Sequence, residues 1–113
     1  MARKVLALLV LLLFLPNGPA TQAHAYWHHA RFFITGYTWT GNRTATGVWP
    51  ISGRTVAVDP YTVPLGSWLY IAGLGWRRAE DTGGAIVGRH VDVFVNSVGQ
   101  AYAITGWRWV TYR

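Results

Sequence analysis

Apolar and polar positions alternate with a period of two in several short runs along the chain, which is the repeat of a half-buried strand and not of a helix. Val91 to Val95 is the clearest: Val91, Val93 and Val95 fall on one face, Asp92 and Phe94 on the other. Phe32 to Trp39, rich in β-branched and aromatic residues, reads as a first strand, with Thr55 to Val58, Trp68 to Ile71 and Trp107 to Tyr112 as others. Gly41-Asn42, Asp59-Pro60, Pro64-Leu65-Gly66 and Gly73-Leu74-Gly75 punctuate them as turns. Arg77 to Glu80 leads into a loop at Asp81. Ser97, with Gln100 three residues on, makes a capping box for one short helix over roughly Val98 to Ala103, which Gly99 weakens. Six or so short strands, frequent turns and one small helix argue for a compact all-β barrel.

The N-terminus breaks this pattern. Arg3 and Lys4 precede an unbroken apolar run from Val5 to Leu15, and Ala23-His24-Ala25 has the small-x-small form of a signal-peptidase site. The run is well short of the ~20 residues of a membrane-spanning helix. The expected organisation is therefore a signal peptide over residues 1–25, a flexible lead-in over 26–34 and one domain over 35–113, exported and without a stable membrane span after cleavage. The chain has no cysteine, so no disulfide supports so small a fold. Seven tryptophans and six tyrosines suggest aromatic burial as compensation.

Ten basic side chains stand against four acidic ones, which suits an anionic polymer such as a cell wall. The arginines are dispersed and form no basic run, so nucleic acid is not the expected partner. His28-His29 invites a metal reading, but no further cysteine or spaced histidine completes a site. Oligomeric state is left open by the sequence.

The scarce acids are concentrated. Glu80, Asp81 and Asp92 lie within Ala79 to Phe94, and Asp59 stands upstream in Val58-Asp59-Pro60. Gly83, Gly84 and Gly88 let the chain turn tightly after Asp81 and return as a strand, bringing Asp81 and Asp92 to the two ends of one turn. Glu80, pointing away from Asp81, reads as surface. Taken singly, each aspartate also has a local explanation: Asp81 and Asp59 as turn residues, Asp92 as a solvated strand position. Thr44-Ala45-Thr46-Gly47 either lines a polar groove or bonds its own backbone. Tyr37, Trp39, Trp49 and Trp68 are candidates for ligand-facing aromatics, although most aromatics are expected in the core. His90, two residues before Asp92, shares its strand face.

Together these residues carry a resemblance. Asp81-Thr82-Gly83-Gly84-Ala85-Ile86-Val87-Gly88, Asp92 eleven residues after Asp81, Ala57-Val58-Asp59-Pro60 with Val63-Pro64-Leu65-Gly66-Ser67, and Thr44-Ala45-Thr46-Gly47 resemble the 3D domain, named for its three aspartates. Val87 departs from the pattern, standing where lysine is common. The resemblance implies a six-stranded double-psi β-barrel similar to the catalytic domain of MltA-type lytic transglycosylases and more distantly to expansins, acting on peptidoglycan glycan strands without cofactor or metal. It further implies Asp92 as the catalytic acid and base, Asp81 as its like-charged neighbour and Asp59 as a third group. Tyr37, Thr46, Gly83, Gly84 and His90 are the residues expected to contact glycan. A glycan-binding or wall-loosening module without bond cleavage is the rival reading.

Overall fold

The computed structural model describes residues 26–113, and the expected signal peptide lies outside them. The elements run β1 (His28–Tyr37), β2 (Thr55–Val58), β3 (Trp68–Ile71), β4 (Gly75–Asp81), β5 (His90–Phe94), α1 (Val98–Ile104) and β6 (Gly106–Tyr112). The strands close into a barrel in the order β1-β5-β2-β4-β3-β6. β1 with β5 and β2 with β4 are parallel, and the other four pairings are antiparallel. This is the six-stranded double-psi barrel with one short helix that the resemblance implied.

Two expectations are overturned. The lead-in is not flexible from His28 onward: His28 to Ile34 pair with Tyr112 back to Gly106 of β6. The His29 ring stacks on Trp109 at 4.6 Å and its Nδ1 lies 2.8 Å from Thr111 Oγ1. That pairing joins the two ends of the domain, so nothing local in residues 28–31 announces it.

The second correction concerns the core. It is aliphatic, built on Ile34, Val56, Val58, Leu69, Ile71, Val91, Val93 and Val110 around Phe32. All seven tryptophans are on the outside, from 44% exposed at Trp49 to 60% at Trp39. An eight-stranded barrel has an interior just wide enough for side chains to fill, and six strands leave less room. Branched aliphatics fit that bore, and each contributes about 1.5–3 kcal/mol on burial. Indoles do not fit, and they pair outside instead, Trp27 on Trp76 and Trp39 on Trp49, or lie beneath arginines.

The helix begins as its capping residues imply. Ser97 Oγ accepts from the Gln100 N–H at 3.2 Å, and Gln100 Oε1 reaches back to the Asn96 N–H at 2.9 Å. It lies flat on β1 because Gly36 lacks a side chain; a Cβ there would come within 2.7 Å of Ala101 Cα.

Candidate active site

The site is built by strand register. Val91 and Val93 face the core, so Asp92 between them faces away from it. Asp92 is opposite Thr35 on β1 and opposite Ala57 on β2. Ala57 in turn is opposite Asp81 on β4, so Thr35, Asp92, Ala57 and Asp81 form one row across four adjacent strands. A β-bulge makes this possible. Val56 pairs with Ala79, but the next β2 residue pairs with Asp81, and Glu80 is passed over. Ala79 is a core residue, and regular alternation would send Asp81 to the core side with it. The extra residue turns Asp81 onto the row instead.

Glu80, expected at the surface, is a structural carboxylate. Its Oε1 accepts from Arg54 Nε and from the buried Thr55 Oγ1, both at 2.8 Å. Asp81 is held by three donors: Tyr37 Oη at 3.0 Å on Oδ2, with the Ala45 and Thr82 N–H groups at 3.0 and 2.9 Å on Oδ1. Tyr37 reaches it from β1, two residues beyond Thr35, with its ring edge-on to Phe94 at 5.4 Å. Burial first, then the charge of Asp81, its hydrogen bond, Asp92 and Glu80 push the Tyr37 phenol far above its ordinary range. The phenol therefore keeps its proton and donates its hydrogen bond to Asp81.

Asp92 is provided for differently. Thr35 Oγ1 donates to its Oδ1 at 2.8 Å and stands 2.7 Å from His90 Nε2. The hydroxyl's one proton is committed to Asp92, so His90 Nε2 is the donor to Thr35. Asp92 Oδ2 receives no hydrogen bond from any described residue. Burial pushes the Asp92 carboxyl above the ordinary range; Thr35 and His90 oppose the shift and Asp81 adds to it.

Asp59 stands apart from this pair. Its oxygens accept from the Tyr61 N–H at 3.0 Å and the Gly88 N–H at 2.8 Å. Those two backbone bonds, Gly88 first, hold its carboxyl below the usual range. Through these bonds Asp59 ties the turn before β5. Of the glycines, Gly88 has a positive φ of 67°, whereas Gly83 and Gly84 adopt negative φ in an exposed turn. Thr46 ties its loop to β4: its N–H donates to the Glu80 carbonyl at 3.0 Å, and its hydroxyl lies 3.2 Å from that of Thr44.

Two hollows lie near the row; of its four residues only Thr35 lines one, and Asp81 and Asp92 line neither. Thr35 and Tyr37 border one of 630 Å³ beneath α1. Thr46 and Glu80 border the other, of 540 Å³, which Trp49 and Trp68 also line. Among the described residues no three histidines or carboxylates cluster as metal ligands would. No helix there is long and apolar enough to cross a membrane.

A double-psi barrel carrying a half-buried carboxylate pair on an open strand face defines the class. Within it, the 3D domain sequence profile matches residues 54–111, and the chain belongs to the 3D domain family. The cell wall-binding protein YocH of Bacillus subtilis is 50% identical over 50 residues, 44% of this chain. Among solved structures, E. coli MltA with bound chitohexaose superposes with a TM-score of 0.52 and 21% identity over 64% of the chain, which shows a shared fold. The chain spans 17% of the length of the first relative and 27% of the MltA chain.

Proposed function

We propose that the protein is an exported peptidoglycan lytic transglycosylase, cutting between N-acetylmuramic acid and N-acetylglucosamine. The observation that carries this reading is Asp92, half-buried on the row, bonded by Thr35 through one oxygen and pushed above the ordinary carboxylate range by burial and by Asp81. Asp92 gives its proton to the glycosidic oxygen as the bond to the muramic acid C1 breaks. Positive charge grows on the sugar ring, and Asp81, fixed by its three donors, supplies a negative charge near it. The Asp92 carboxylate then takes the proton of the C6 hydroxyl, whose oxygen bonds to C1. The products are a 1,6-anhydro end and a free N-acetylglucosamine hydroxyl, with no water consumed and Asp92 protonated again. One group serves as acid and then as base, for which a raised carboxyl is suited.

Family membership, the MltA-like fold and a cell wall-binding relative support action at the wall. A second reading, glycan binding without cleavage, is favoured by that relative's name and by the exposed tryptophans. Mass spectrometry of wall digested by wild type and by Asp92→Asn separates the two. The transglycosylase reading expects anhydro-muropeptides from the wild type and none from the variant. Reducing ends in place of anhydro ends would indicate a hydrolase, and no release by the wild type would leave the binding module.

A further inference from the structure

The 540 Å³ hollow beside the row has a chemistry that proton transfer does not use. Its wall carries Arg43, Arg54 and Arg78 against one acid, Glu80. Arg54 is committed to Glu80 and to the Trp49 carbonyl. The other two guanidiniums lie over indoles: Arg43 over Trp49 at 4.7 Å, Arg78 over Trp68 at 4.5 Å. Arg43 makes one hydrogen bond, to the Gly47 carbonyl at 3.0 Å. Arg78 makes no ion pair or side-chain hydrogen bond with the described residues. A guanidinium has five N–H donors in a fixed fork, so most of this donor capacity on the wall of the hollow is not taken up by the described residues. Its volume falls within the roughly 300–1,000 Å³ of ligand sites.

We infer that this hollow is a subsite for a carboxylate carried on the glycan, with Arg43 and Arg78, each lying over an indole, as the forks that bind it. A neutral ligand covering Arg43 and Arg78 would strip water from their donors without replacing it, whereas a carboxylate pairs with such forks in two parallel bonds. Position fits as well. Glu80 and Thr46 in the wall are the immediate neighbours of Asp81 and of Ala45, whose N–H Asp81 accepts. A strand lying over Asp92 and Asp81 therefore extends its next sugars into the hollow. The inference rests on the proposed function for the identity of the polymer. It narrows the substrate to acid-bearing glycan, either the lactyl carboxylate of a peptide-free strand or the carboxylates of the peptide stem, over uncharged N-acetylglucosamine oligomers.

The test is equilibrium binding, which needs no cleavage, with Asp92→Asn as the parent so that ligands stay intact. Three probes are compared: peptide-free glycan, peptide-bearing glycan and chitohexaose. Arg43→Gln and Arg78→Gln, each checked for an unchanged thermal midpoint, should each weaken binding of an acid-bearing glycan about tenfold or more and leave chitohexaose unchanged. Loss on the peptide-free glycan alone assigns the lactyl carboxylate, which is an amide wherever a stem is attached; loss on the peptide-bearing one alone assigns the stem, and loss on both shows that the forks take either carboxylate. Equal loss on chitohexaose, or no loss on any probe, would overturn the subsite. Selective loss in a protein whose wild type releases no anhydro ends would uphold the subsite and reject the transglycosylase. Absence of binding to all three probes would reject both.

Discussion

Asp92 and Asp59 belong to the same sequence signature, and Asp59 directly follows the strand that pairs with the one carrying Asp92, yet their surroundings are opposite. Asp59 faces two backbone N–H groups that favour its charge. Asp92 faces a threonine hydroxyl, a partly buried strand face and a second carboxylate, and burial disfavours its charge. An aspartate motif alone says nothing about which member holds a proton. What decides it is whether donors or desolvation reach the carboxyl first.

The largest expected break between the two is in activity. Asp92→Asn should lower anhydro-muropeptide release by about 10²–10⁴-fold, the usual contribution of a positioned acid and base. Asp59→Asn should retain activity wherever the protein remains folded. Product assays at a temperature below both variants' unfolding midpoints check this.

Stability should divide them with opposite signs. The folded carboxyl of Asp59 is depressed, so its contribution is present above the unfolded value near 3.8 and is lost as pH falls through the lower folded value. Asp59→Asn should therefore lower the thermal midpoint at neutral pH, with the difference shrinking on acidification. The folded carboxyl of Asp92 is raised, so the native state loses stability as pH rises from about 3.8 through the higher folded value. Asp92→Asn should match or exceed the wild-type midpoint at pH 7, converging with it below pH 4. Parallel thermal scans across pH 3–8 check both.

The smallest effect sharpens the comparison from the neighbour's side. Asp81→Asn removes one of the two influences that raise Asp92, so the alkaline limb of the pH–rate profile should move to lower pH. Replacing His90 by Gln removes an opposing influence, and the limb should move the other way.

Much of this was legible in the chain. The alternation in Val91 to Val95 assigns Asp92 to a face away from the core, and the turn residues bracket β2 and β3 at their observed limits. The Ser97–Gln100 cap locates α1 to within a residue of its end. What local sequence does not encode is register between distant strands. The bulge that passes over Glu80 and turns Asp81 onto the row exists only because β2 and β4 pair in parallel, and nothing in Ala79-Glu80-Asp81 marks it. Tyr37 was readable as an aromatic near the site, but its bond to Asp81 spans 44 positions. The tryptophans misled for a different reason. Their number suggests an aromatic core, while the bore of a six-stranded barrel admits only smaller side chains.

The central claim is that Asp92 keeps its proton to higher pH than the other member of its signature, Asp59. Carbon-detected NMR titration of the aspartate carboxyls reads this directly. The account predicts that Asp92 titrates above the ordinary carboxylate range and above Asp59, and that its midpoint falls in Asp81→Asn. An Asp92 midpoint at or below that of Asp59 would contradict it.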